Sequence, residues 1–264
     1  MARLLAIGTM AALLTGCGST ATVTPPAPAT PKAAPRPFMP VGTPGAAATR
    51  GAPAAAAADV AHARAKPARF RIARVVRPTA LRATPGGRVL AHLGTATEFG
   101  SAMILSVSDA RHGWLEVRSA ALPNGHYGWI READTTRHGT DYAIVVNRGA
   151  HMATLRHHGH DVFSFAVAVG RPGNETPLGH YAVTDKLRTT DASSPYGCCA
   201  LALTGHQTLL EPGWPGGDRL AIHGTPDETS VGQAVSLGCM RAYRDVLRKL
   251  LKRVPLGAPV VVRA

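Results

Sequence analysis

Beyond residue 70 the apolar positions recur in short alternating runs, the period-two signature of half-buried strands. RIARVV (71–76), RVLAHL (88–93), SAMILSVS (101–108), GWLEVRS (113–119) and YGWIRE (127–132) are separated by turn signals such as Thr84-Pro85-Gly86-Gly87 and Pro123-Asn124-Gly125. Short strands packed this densely predict a small barrel over 71–135. A second series follows at 142–147, 152–155, 163–169, 179–184, 199–203, 219–223 and 259–262. Only at 240–254 do Met240, Tyr243, Leu247, Leu250, Leu251 and Val254 fall at helical spacing, closed by Pro255 and Gly257. The expected fold class is therefore mainly β, a small barrel followed by a β-rich domain over 141–264 with one main helix.

The first 70 residues obey neither period. Ten of the 21 prolines lie there, with few large apolar side chains, so 18–70 reads as an extended or disordered Ala/Pro-rich linker. Ahead of it, Arg3 precedes the apolar run 4–14, which is too short to span a bilayer and reads as an export signal. The run ends in Leu14-Thr15-Gly16-Cys17, which resembles a bacterial lipobox. That resemblance implies a signal peptide over 1–17 and lipidation of Cys17. The expected localisation is thus the outer face of the plasma membrane, with the chain anchored through lipid and reaching into the wall.

Charge refines this picture. Residues 18–77 carry nine Lys and Arg against the single acid Asp59, whereas 78–264 carry 19 against 15. The basic surplus sits on the linker, suits an anionic lipid or wall polymer, and comes with no nucleic-acid motif, so no nucleic-acid partner is expected. The oligomeric state is not legible.

Three cysteines remain after Cys17. Adjacent Cys198 and Cys199 are expected to be poor partners for each other because the ring closing neighbours is small. Either is open to pairing with Cys239, and both are open to a packing role. Cys239 is expected at the start of the helix, where free N–H groups and the dipole favour thiolate. His223 ends the apolar run Leu220-Ala221-Ile222. A histidine at a strand end and a cysteine at a helix start supply the base and nucleophile of acyl transfer. Zinc is not expected, since no further Cys or His pair completes a site.

The surrounding string is specific. Ala168-Val169-Gly170, Thr176-Pro177-Leu178-Gly179-His180-Tyr181, Ser194-Pro195-Tyr196-Gly197, Ile222-His223-Gly224-Thr225 and Ser236-Leu237-Gly238-Cys239-Met240-Arg241 follow in order. Over about 125 residues the C-terminal part closely resembles the YkuD-type L,D-transpeptidase catalytic domain, with Leu237 standing where that family carries a second histidine. The runs Gly113-Trp114-Leu115-Glu116-Val117 and Gly128-Trp129-Ile130 resemble the late strands of bacterial SH3-like domains. In that setting Trp114 and Trp129 are barrel core and rim rather than a ligand platform. The first resemblance implies Cys239 as nucleophile, His223 as base oriented by the carbonyl of Gly224, and N–H groups of Gly238 and Cys239 as an oxyanion hole. It also implies substrate contacts from Arg241, Ser236, Tyr196 and Gly197, with a loop-holding role equally open for Arg241. Trp214 belongs to a surface turn with the alternative of a lid.

The implied reaction is 3→3 cross-linking of peptidoglycan stem peptides through a cysteine thioester, with no metal or organic cofactor. Hydrolysis of the thioester, which trims tetrapeptide stems, is one alternative. A catalytically silent wall-binding lipoprotein is the other.

Overall fold

The computed structural model describes Met39–Pro40 and residues 69–264 apart from Ala192 and Pro215; the signal segment, Cys17 and nearly all of the linker lie outside the described residues. Strand β1 is Met39–Pro40. Strands β2 (Phe70–Val75), β3 (Thr79–Arg82), β4 (Val89–Leu93), β5 (Ile104–Arg111), β6 (Trp114–Arg118), β7 (Gly128–Arg131) and β8 (Thr135–Thr140) build a seven-stranded sheet in the order β4-β3-β7-β6-β5-β2-β8. Its pairings are antiparallel. Alternation in β6, where Leu115 and Val117 are buried and Trp114, Glu116 and Arg118 are less so, follows directly from the period-two pattern. Trp129 is buried, and Trp114 carries the Arg131 guanidinium over its ring.

The second group is β9 (Tyr142–Asn147), β10 (Met152–His157), β11 (His160–Ala166), β12 (Val169–Gly170), β13 (Gly179–Arg188), β14 (Cys199–His206), β15 (Arg219–His223), β16 (Ala234–Ser236), β17 (Met240–Arg241) and β18 (Pro259–Arg263). Eight of these form the path β11-β10-β9-β18-β13-β14-β15-β17, while β1 pairs with β13 and β12 pairs with β16. The fold is mainly β, as its alternation requires. Among the described residues the α-helix is α1, Arg244–Arg253, whose Val246, Leu247, Leu250 and Leu251 are buried in the main core with Leu201, Leu203, Leu220 and Ile222.

The helix begins later than its hydrophobic spacing implies. Met240 and Arg241 are instead a short parallel strand beside Ile222 and His223. Arg241 exchanges two backbone hydrogen bonds with Ala168, and the Ala242 N–H donates to the His223 carbonyl, so this stretch has partners across the chain that a helical turn would not offer. Tyr243 then turns extended at ψ 147° and ends up exposed rather than in the core. The spacing of Met240 and Tyr243 mimics a helical stripe because both neighbour apolar positions, but the sheet edge wins the backbone.

The two sheets are docked against each other. Thr97 Oγ1 donates to Asp185 Oδ1 at 2.5 Å, Glu98 pairs with Arg219, and Asn124 bonds the main chain of His206.

Candidate active site

Strands β15 and β17 lie side by side and parallel, so the end of one and the residue before the other open into the same space. His223 and Cys239 both line a cleft of about 140 Å³, together with Tyr196, Gln207, Trp214, Arg219, Leu237 and Arg241. Cys239 is a free thiol.

His223 is 4% exposed and its Nδ1 lies 2.5 Å from the Gly224 carbonyl. A carbonyl oxygen only accepts, so Nδ1 carries the proton and Nε2 keeps its lone pair. The Gly224 peptide is held in turn, its N–H donating to the Cys199 carbonyl at 2.9 Å. The ring of Tyr196 meets the imidazole edge-on at 5.1 Å. Burial pushes His223 down to about 4 against the support of its Gly224 bond, and the Arg241 charge lowers it further. The imidazole is neutral at pH 7 and available as a base.

The thiol moves the other way. Burial raises Cys239 to about 11, opposed by the Ala221 N–H and by the charge of Arg241. Its S–H points to the Arg219 carbonyl at 3.6 Å. The expectation of a thiolate stabilised by a helix start is corrected here: α1 begins at Arg244, past the sulfur, so no dipole reaches it. The resting pair is a thiol and a neutral imidazole.

The nucleophile loop is shaped from within. Ser236 Oγ donates to the Cys239 carbonyl at 2.6 Å and accepts the Gly238 N–H at 3.1 Å. Thr176 Oγ1 donates to the Gly238 carbonyl at 2.8 Å and accepts the Gly170 N–H at 2.9 Å. Gly238 sits at φ +116°, and a Cβ there would lie 2.1 Å from Gln207 Nε2, so only glycine fits before the cysteine. These bonds bear on two of the expected site residues. The Gly238 N–H, expected as one of two oxyanion donors, is already bonded to Ser236 Oγ within the loop. Ser236, 1% exposed, lines the cleft and spends one donated and one accepted hydroxyl bond on the loop backbone.

The other expected residues are placed as follows. Tyr196 and Arg241 line the cleft. Gly197, at φ +61°, stands behind it, where a Cβ would meet the Gly224 and Thr225 backbone at 2.5–2.7 Å; it lets the 196–199 segment press against the peptide that holds His223. Trp214 lines the cleft with its Nε1–H donating to the Gly217 carbonyl at 3.0 Å. Cys198 and Cys199 are joined to each other by a disulfide, contrary to the expectation from ring size. The pair spans the junction where the turn ending at Cys198 passes into Cys199, the first residue of β14, and Cys239 is left unbridged. Among the described residues no group of three His, Cys, Asp or Glu side chains is placed to hold a metal ion.

Sequence reasoning missed Gln207. Its side chain is buried at the end of β14 and its Nε2 donates to the Leu237 carbonyl at 2.9 Å and to the Asn174 carbonyl at 3.1 Å. Nothing in His206-Gln207-Thr208 distinguishes it as sequence, because its partners are main-chain groups far along the chain. Thr176 was visible only as part of a motif. Replacing Gln207 with leucine fills the same space and leaves those carbonyls unpaired. The expected result is a stability loss of about 1–3 kcal/mol in denaturant melts, the usual penalty for a buried polar group without its partner, together with slower acylation of Cys239.

Comparison with known proteins gives the family. A family model for the L,D-transpeptidase catalytic domain matches residues 141–262. The chain is 29% identical over 121 residues to YkuD of Bacillus subtilis (strain 168), named as an L,D-transpeptidase, covering 46% of this chain and 65% of that protein. It is 31% identical over 134 residues to YkuD of Bacillus licheniformis, covering 50% of this chain and 70% of the relative. Among solved structures, an L,D-transpeptidase from Mycobacterium smegmatis is similar at a TM-score of 0.40 and 18% identity, covering 61% of this chain and 82% of that one. With a relative above 30% identity aligned over more than two thirds of its length, and with the matched segment containing the histidine, the glycine and the cysteine that shape the cleft, the chain belongs to the YkuD-type L,D-transpeptidase family.

Proposed function

We propose that this protein is a peptidoglycan L,D-transpeptidase that forms 3→3 cross-links through a thioester on Cys239. The observation that carries the reading is a free thiol and a neutral imidazole in one cleft, the imidazole fixed through Nδ1 by the Gly224 carbonyl so that Nε2 is the free acceptor.

Because the pair starts uncharged, the proton leaves sulfur as sulfur attacks. Cys239 Sγ adds to the carbonyl of the third residue in a tetrapeptide stem while His223 Nε2 takes the thiol proton. The oxyanion that develops is met by the Cys239 N–H, and the Arg241 charge, already felt at both His223 and Cys239, stabilises the negative charge that builds on sulfur and oxygen. As the C–N bond breaks, His223 returns the proton to the departing D-alanine amine, leaving the thioester. An amine of a neighbouring stem adds to the thioester, gives its proton to His223, and the C–S bond breaks as sulfur is reprotonated. No step calls on a metal or an organic cofactor. In this reading Arg241, which lines the cleft, also binds a substrate carboxylate, for which a planar guanidinium is suited.

In this reading the first sheet is an SH3-like wall-binding module, and the N-terminal signal and Cys17 tether the enzyme by lipid to the outer face of the plasma membrane. The test is a muropeptide digest after incubating the purified chain with tetrapeptide-bearing peptidoglycan. New dimers joined between third residues are expected. Tripeptide stems without dimers would assign the thioester to water, and unchanged muropeptides would overturn the proposal.

A further inference from the structure

Asn124 lies in the turn between β6 and β7, in the first sheet, and as sequence it is an ordinary Pro-Asn-Gly turn residue. Its side chain is used in both directions on one residue of the catalytic half: Nδ2 donates to the His206 carbonyl at 2.6 Å, and Oδ1 accepts the His206 N–H at 2.8 Å. This is a two-bond clamp on main chain, of the kind two paired strand residues make. His206 is held again through its ring, with Nε2 2.9 Å from the Ala120 carbonyl and Nδ1 2.9 Å from Asp218 Oδ2. The next residue is Gln207, whose amide fixes the Leu237 carbonyl and packs against Gly238. The chain of contacts from the first sheet to the nucleophile is therefore Asn124, His206, Gln207, Leu237-Gly238, Cys239.

A second support from the same sheet reaches the other partner of the sulfur. The Arg219 carbonyl accepts the Cys239 S–H, and the Arg219 side chain pairs with Glu98 and lies over the Phe99 ring at 6.0 Å. Phe99 also packs on the small cluster of Leu187, Ala200, Ala202 and Ala221 against which Cys239 packs.

We propose that Asn124 is a positioning residue for Cys239, acting through His206 and Gln207, so that the first sheet is a working part of the active site as well as a neighbour of it. The inference concerns how the nucleophile of the proposed transpeptidase is held, and rests on that reading for its catalytic consequence. Its structural consequence, a half-buried thiol held in place, is measurable without any wall substrate.

The experiment uses the full chain, wild type and Asn124→Ala, with two readouts on the peptide bearing Cys239 by mass spectrometry. One is the rate of acylation by a carbapenem; the other is the pH profile of alkylation by iodoacetamide. Loosening the loop exposes the half-buried sulfur further, so the alkylation midpoint should fall from about 11 toward the ordinary thiol value of 9 and alkylation at pH 9 should rise severalfold. Acylation, which needs the sulfur in place, should fall about tenfold. Opposite movement of the two rates is the signature of lost positioning. A purely structural role would lower the melting temperature and leave the alkylation midpoint where it is, and that result would overturn the proposal, as would unchanged rates in both assays. Asn124→Asp keeps the acceptor for the His206 N–H and loses the donor to its carbonyl; it should show the same opposed changes at smaller size, and it decides the matter if the alanine variant does not fold. Absence of a carbapenem adduct on wild type would count against the transpeptidase reading alone, since the alkylation arm still reports on Asn124.

Discussion

Cys239→Ala protein is expected to take up no carbapenem, whereas the wild-type chain gains the mass of one β-lactam on the peptide containing residue 239. The argument is one of elimination among sulfurs as well as of placement. Cys198 and Cys199 are bonded to each other, and Cys239 is the free cysteine among the described residues. It lines the same cleft as His223, and the loop that presents it is fixed at successive residues by Ser236, Gln207 and Thr176. Where a nucleophile and its base act as a unit, removing the nucleophile alone lowers turnover by on the order of a millionfold. Loss of both adduct and cross-linked dimers in Cys239→Ala, with the melting temperature kept, is the expected pattern. An adduct persisting on another residue would remove Cys239 from the chemistry. Retention of dimer formation would place the nucleophile elsewhere in the chain.

How much of this was legible in the sequence depends on the range of the interaction involved. The strands were, because alternation is a local property: Leu115 and Val117 are buried in β6 just where period two puts them. His223 and Cys239 were, because a strand end and a Gly-Cys pair leave marks in the string itself. The start of the helix was not. Apolar spacing at Met240 and Tyr243 cannot show that Arg241 trades its backbone bonds with Ala168, and this non-local pairing decides the matter. The same holds for Gln207, which binds carbonyls at Asn174 and Leu237, and for Asn124, whose partner is His206. The protonation states are not legible for a related reason. A helix start near Cys239 favours thiolate, but the stronger influence on the half-buried sulfur is desolvation by what packs around it, which no local stretch of sequence shows. Ring size alone argues against the bridge between Cys198 and Cys199 that the structure contains.

The neutral resting pair has a consequence in pH. His223 is pushed down to about 4, chiefly by burial, so it remains an unprotonated base through the range in which an ordinary imidazole near 6.5 would have gained its proton. The rate of carbapenem acylation should therefore hold nearly level from neutral pH down to about 5 and fall with a midpoint near 4. The sign is fixed: lowering pH through that value protonates Nε2 and removes the acceptor. His223→Ala should lower acylation by roughly two to four orders of magnitude, the scale of general base catalysis, and should abolish the acid limb, because the group that titrates is gone. A stopped-flow pH profile of wild type and variant measures both. If the wild-type limb lay near 6.5, the imidazole would be reached by solvent in the working enzyme and the neutral-pair mechanism would lose its basis. If His223→Ala acylated at a near-normal rate, the thiol proton would have another acceptor, and the carbonyl of Arg219, which already receives the S–H, could not serve because it cannot take the proton itself. A limb near 4 that disappears with His223 is accounted for by an imidazole kept neutral by burial and aimed by Gly224.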